Sequence, residues 1–139
     1  MVATAESCTG GMISAALTDI AGSSAVVDRG FVTYSYASKT AMLGVPAKML
    51  EEHGAVSEPV ARQMALGALA ASDADLSVAV TGVAGPGADG DKPEGMVWFA
   101  LATKDGGQTL EKQFGALGRG NVRAATVEVA LTLLLEAAT

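Results

Sequence analysis

The chain has 139 residues, of which 50% are hydrophobic, 17% charged and 4% aromatic, and fifteen acidic side chains against nine basic ones give a net charge of −6. This excludes a disordered tail, which lacks the apolar surface to offset ordering entropy. The acidic balance (pI ≈ 4.6) argues against non-specific nucleic-acid binding, which needs many neutralising Lys and Arg.

Mean hydropathy is +0.35, yet no uncharged apolar run reaches the ~18 residues of a membrane span. The core must therefore be built from Ala, Val, Leu, Met and Gly, with closely packed elements. Cys8 is the single cysteine and cannot form an internal disulfide, and no paired Cys/His spacing marks a metal site. Met1–Gly11 has no basic region followed by a long apolar stretch. The expectation is one cytoplasmic domain over residues 1–139.

Val2-Ala3-Thr4-Ala5 reads as a short buried strand, and Thr9-Gly10-Gly11 opens a helix ending near Ile20. Met12, Ala15, Ala16 and Leu17 share one helical face by their spacing. After the breaker Gly22-Ser23-Ser24, residues Ala25 to Tyr36 are rich in Val, Phe, Thr and Tyr, as strands are. On that strand Tyr34 and Tyr36 are expected on opposite faces. Ser38 to Leu43 form a short helix closed by Gly44, and Pro46 starts another turn. Ser57-Glu58-Pro59 is a strong helix start, with Ser57 as N-cap and the helix running to about Ala71. Leu76 to Thr81 is a compact apolar strand. Gly82 to Gly95 holds five Gly and two Pro, a loop. Met96–Thr103 and Thr109–Phe114 make a hairpin across Asp105-Gly106-Gly107. A final helix covers about Asn121 to Ala137. Helices alternating with strands, then a hairpin, predict an α/β domain of three layers (α/β/α) around a mixed sheet.

Two glycine-rich segments each follow a buried strand: Glu6-Ser7-Cys8-Thr9-Gly10-Gly11 and Thr81-Gly82-Val83-Ala84-Gly85-Pro86-Gly87. Ligands gather outside the carboxyl ends of strands in open α/β sheets, so the two can face one crevice. Neither has the Gly-Lys-Ser/Thr ending of a nucleotide-hydrolysing loop. In the first segment the unpaired N–H groups of the helix start attract anions, and Ser7 is either a helix cap or a nucleophile beside an oxyanion site. A nucleophile needs a base. The only histidine, His53, sits in a turn context and reads as a surface residue. Lys39 is the better base if burial lowers its pKa, and an ordinary surface lysine otherwise. Arg119 and Arg123, four residues apart, are either a phosphate-binding pair or a solvated helix face.

Taken together, Ala5-Glu6-Ser7-Cys8-Thr9-Gly10-Gly11, Thr33-Tyr34-Ser35 with Lys39, Leu43-Gly44-Val45, His53-Gly54-Ala55-Val56-Ser57, and Val80 to Gly87 followed by Lys92-Pro93 resemble the C-terminal domain of the CinA family. Its stand-alone members include nicotinamide-nucleotide amidohydrolases, so the resemblance implies hydrolysis of the carboxamide of nicotinamide mononucleotide (NMN) to nicotinic acid mononucleotide and ammonia. It implies a Ser/Lys mechanism without metal or cofactor, with Ser7 as nucleophile and Lys39 as base. Tyr34 and Thr81 are further catalytic positions. Thr9, Gly10, Gly11, Gly82, Gly85, Arg119 and Arg123 are implied as substrate-binding. Three departures stand out. The chain begins six residues before Ser7, where family members carry a further helix. Gly118 stands where the family has an aspartate before the arginine. Tyr36-Ala37-Ser38 replaces the usual residues before the lysine. The alternative expectation is a non-catalytic nucleotide-binding module that keeps the pocket; a DNA-uptake partner is disfavoured by the acidic charge. A homo-oligomer is expected from the apolar, Ala-rich composition.

Overall fold

The computed structural model describes residues 1–139 and shows a five-stranded sheet between two helical layers. The strands are β1 (Val2–Glu6), β2 (Val27–Val32), β3 (Leu76–Gly82), β4 (Met96–Thr103) and β5 (Gly106–Gln113), in the order β2-β1-β3-β4-β5. β1 pairs parallel with both β2 and β3, whereas β3-β4-β5 is an antiparallel run. The helices are α1 (Met12–Thr18), α2 (Tyr36–Leu43), α3 (Ala47–His53), α4 (Glu58–Ala70) and α5 (Arg119–Ala138). The expected three-layer α/β/α arrangement with a mixed sheet is what the chain adopts.

Strand alternation divides the core in two. One face of the sheet centres on alanines (Ala3, Ala5, Ala79, Ala100 and Ala102), with Phe31 and Trp98 at its margins, and packs against Leu43, Val45, Leu50, Val60 and Met64 of the α2–α4 side. The opposite face presents Val78, Val80, Val97, Phe99 and Leu101 to Ile13 of α1 and to Val122, Ala130, Leu133 and Leu134 of α5. The alanine face lets α4 lie close to the sheet, and α4 answers with Ala61, Ala65 and Ala68, all buried. Gly67 extends this close fit sideways, because a Cβ there would collide with the Leu43 carbonyl of α2. Alanine normally favours a helix over glycine by ~1 kcal/mol. Gly67→Ala should nevertheless destabilise the fold, by about 1–3 kcal/mol from overpacking. Urea unfolding of the variant checks the sign.

Element ends differ from the sequence expectation for local reasons. β2 stops at Val32 rather than Tyr36, because the Ser35 side chain accepts the Ser38 N–H at 3.1 Å and starts α2. α1 is shorter than expected; Ile13 is its one fully buried residue, Leu17 of the predicted face packs against the same cluster, and Ala15 is exposed. α5 begins two residues early, directly after Gly118, so Arg119 is its first residue. β5 starts at Gly106, which pairs with Thr103 across the Lys104-Asp105 turn. Ser57 precedes α4 as predicted but makes no side-chain cap; its hydroxyl donates to the Gly54 carbonyl at 2.8 Å.

Candidate active site

The parallel part of the sheet gathers three strand ends at one place. Glu6 is in register with Val32 of β2 and Val80 of β3, so Ser7, Thr33 and Thr81 emerge side by side at the carboxyl edge. Ser7 leaves β1 with its N–H still donating to the Val80 carbonyl at 3.1 Å, and its side chain is nearly buried. Gly10 (φ 59°) and Gly11 (φ 105°) then take left-handed backbone that L side chains rarely adopt, which reverses the chain into α1 within a few residues.

Lys39 approaches from the second turn of α2. It is fully buried, the largest side chain in the protein with that degree of burial. Its Nζ lies 2.9 Å from Ser7 Oγ, 2.7 Å from the Thr33 carbonyl oxygen and 3.2 Å from the Tyr34 carbonyl oxygen. Carbonyls only accept, so two N–H bonds of the amine are committed to them. The remaining tetrahedral position of Nζ faces Ser7. In the ammonium it is a third N–H donating to Oγ; in the neutral amine it is the lone pair, able to receive the serine proton. Burial, chiefly, lowers the lysine pKa from 10.5 to about 8. Cys8, adjacent to the nucleophile candidate, is pushed the other way: burial raises its thiol to about 11, leaving it protonated at neutral pH.

Ser7 and Lys39 open onto a cavity of about 190 Å³ whose wall also includes Tyr34, Tyr36, Thr81, Gly82, Asp89 and Arg119. Tyr34 and Tyr36 thus line the same cavity instead of opposite faces, because the strand alternation ends before them. The Tyr36 hydroxyl accepts the Ala55 N–H at 3.2 Å, and the Thr81 hydroxyl donates to the Ala55 carbonyl at 2.9 Å, so both fix the loop after α3. Lys92 secures that loop from the other side, its Nζ donating to the Val56 carbonyl at 2.6 Å. Arg119 donates to the Gly85 carbonyl (2.6 Å) and to the Tyr34 hydroxyl (3.0 Å), bridging the second glycine-rich loop to the rim.

Other predicted site residues are placed elsewhere. Arg123 lies one turn beyond Arg119 but does not line the cavity. It donates to the Cys8 and Thr9 carbonyls at 3.1 and 3.3 Å. Thr9, Gly10 and Gly11 do not line it either. The helix start they precede holds no vacancy for a ligand anion, because the buried Glu6 carboxylate already accepts the Ile13 and Ser14 N–H groups at 2.8 and 3.0 Å. His53 ends α3, half-exposed, outside the Ser7 cavity. A larger groove of about 440 Å³ between β5 and α5 has no Ser, Cys or His in its wall. No helix is long and apolar enough to cross a membrane.

The description "CinA C-terminal domain" belongs to the family model that matches residues 1–138. The chain is a member of the CinA C-terminal domain family. A curated relative named nicotinamide-nucleotide amidohydrolase PncC, from Escherichia coli K12, is 50% identical over 134 residues, which is 96% of this chain and 81% of that protein. One of the same name from Enterobacter agglomerans is 58% identical over 113 residues, 81% of this chain and 69% of that protein. A "CinA-like protein" of Mycolicibacterium vanbaalenii is 50% identical over 139 residues, but these make up 33% of its length. Among solved structures, the competence/damage inducible protein CihA of Agrobacterium tumefaciens superposes with a TM-score of 0.97 at 52% identity, covering 100% of this chain and 86% of that one. In this CinA domain, then, the glycine-rich segments and the lysine after β2 converge as one site. Glu6, Tyr36, Asp89 and Lys92 are the side chains around it that sequence reasoning gave no role.

Proposed function

We propose that this chain is a nicotinamide-nucleotide amidohydrolase that converts NMN and water to nicotinic acid mononucleotide and ammonia, with Ser7 as nucleophile and Lys39 as general base. The observation that carries this reading is the 2.9 Å contact between Ser7 Oγ and a fully buried Lys39 Nζ whose other two contacts are carbonyl oxygens. The names of the amidohydrolase relatives at 50% and 58% identity supply the substrate.

The chemistry follows from the geometry. Neutral Lys39 takes the hydroxyl proton as Ser7 Oγ bonds to the carboxamide carbon, giving a tetrahedral intermediate. The carbon–nitrogen bond then breaks, and the departing nitrogen takes the proton from the Lys39 ammonium and leaves as ammonia. Water attacks the resulting ester, Lys39 receives its proton, and that proton returns to Ser7 Oγ as the acid departs. Desolvation by burial places the lysine pKa at about 8, close enough to neutrality for both roles.

Arg119 is the only guanidinium on the cavity wall, and we assign it the substrate phosphate, which a planar fork of N–H donors suits. Tyr34 and the Gly85 carbonyl hold it in place, and Gly82 and Ala84 line the same cavity. Arg119→Met should raise KM for NMN about 10–100-fold, the usual worth of a charge-assisted contact, while kcat changes much less. Steady-state ammonia release as a function of NMN concentration measures both.

A further inference from the structure

Glu6 is the one carboxylate with no measurable exposure, and its oxygens accept four hydrogen bonds. Oε1 accepts the Thr9 hydroxyl at 2.6 Å and the Ile13 N–H at 2.8 Å. Oε2 accepts the Ser14 N–H at 3.0 Å and, at 3.4 Å, the Thr4 hydroxyl. No lysine or arginine pairs with it, so the carboxylate is held entirely by N–H and O–H groups of the segment that carries Ser7 and of the strand and helix at its two ends. From outside, Arg123 of α5 holds the same segment by the Cys8 and Thr9 carbonyls. The reversal is closed internally by the Gly10 N–H donating to the Ser7 carbonyl at 3.1 Å. The Thr9 hydroxyl and the first-turn N–H groups of α1 face Glu6, and the Cys8 and Thr9 carbonyls face Arg123, so the backbone from Ser7 to Gly11 is held from both sides. Lone pairs cannot be aimed at a moving partner: the Ser7–Lys39 contact depends on this loop staying fixed, since Lys39 is itself immobilised by the Thr33 and Tyr34 carbonyls.

We propose that Glu6 is a positioning residue, with Arg123 as its counterpart, which together lock the Ser7 loop so that Oγ stays at the Lys39 lone pair. This rests on the reading of Ser7 as nucleophile. It also changes what Thr9 does: its hydroxyl anchors the loop to Glu6 and does not touch substrate.

The test is a steady-state comparison with NMN as the probe, on folded protein verified by its melting temperature. Glu6→Gln is the sharp substitution. In either orientation of the amide its NH2 faces a backbone N–H, that of Ile13 or of Ser14, which has nothing to donate to, while the neighbouring threonine hydroxyl must turn from donor to acceptor. We expect kcat to fall at least about 30-fold with KM within about threefold of the parent. Thr9→Val, which is isosteric, and Arg123→Met act on the same loop from its two sides and should lower kcat in the same pattern. Thr9→Ser, which keeps the hydroxyl, should recover most of the loss seen in Thr9→Val. If Glu6→Gln does not fold, the Thr9 pair decides. A folded Glu6→Gln protein with parental kcat overturns the proposal, and so does Thr9→Val raising KM at unchanged kcat, which would make Thr9 a substrate contact. Failure of the underlying reading has a different signature: the parent releases no ammonia, or Ser7→Ala releases it as fast as the parent.

Discussion

Ser7→Ala protein releases ammonia from NMN at least about 10³-fold more slowly than the parent, the scale expected when a nucleophile acting as a unit with its base is removed. The fold is preserved, because what holds residue 7 in place is backbone: its N–H on the Val80 carbonyl and its own carbonyl receiving the Gly10 N–H. The removed hydroxyl makes one side-chain contact, to Lys39. A coupled ammonia assay together with the melting temperature separates lost chemistry from lost structure. The neighbouring thiol does not substitute. With its pKa pushed to about 11 by burial, Cys8 is almost entirely un-ionised at neutral pH. Cys8→Ser should therefore keep ammonia release, and loss in that variant with survival in Ser7→Ala would exchange the two assignments.

Lys39→Met is the second large effect, with a loss of about 10²–10⁴-fold in kcat, the span attributed to a positioned proton acceptor. The pH dependence of the parent carries the same information without mutation. Only the neutral amine has a lone pair for the Ser7 proton, and burial sets the pKa at about 8. kcat/KM should thus rise about tenfold per pH unit below pH 8 and level off above it. Stability has a linked signature. The folded-state pKa of about 8 lies below the unfolded value of 10.5, so between those values the unfolded chain binds more protons. Stability then increases as pH rises from 8 toward 10.5. Lys39→Met lacks this term, and it no longer buries an amine, so its melting temperature at pH 7 should be higher than the parent's. A melting temperature that falls instead would mean that the lysine's bonds to Thr33 and Tyr34 outweigh its desolvation.

Much of this arrangement is legible from residues alone, and the part that is not has identifiable causes. The runs Val2–Ala5 and Leu76–Thr81 are buried on both faces, so their apolar content announces them, and with them the carboxyl edge where the glycine-rich segments meet. The direction of Tyr36 is not legible, because one hydrogen bond from Ser38 to Ser35 converts the end of an apparent strand into a helix. The same bond sends Lys39 inward. Composition treats a lysine as a surface residue, and only its reach from α2 to Ser7 and Thr33, just past the ends of β1 and β2, makes it the largest fully buried side chain. The role of Glu6 is not legible for a related reason. A single carboxylate beside a serine motif reads as solvated, whereas its partners come from three places in the chain, Thr4, Thr9 and the first turn of α1. Arg119 and Arg123 share a helix face by spacing, and spacing does not reveal that one reaches the rim and the other the back of the Ser7 loop.

The central claim is covalent: the carboxamide carbon of NMN becomes esterified to Ser7 before water releases it. Acid quenching of enzyme mixed with NMN within one turnover, followed by peptide mass mapping, tests this directly. The account predicts a fraction of the Ser7 peptide heavier by NMN less ammonia, absent in Ser7→Ala and accumulating most where deacylation is slow. Ammonia released with no adduct at any time point, or an adduct on Cys8 instead, would contradict it.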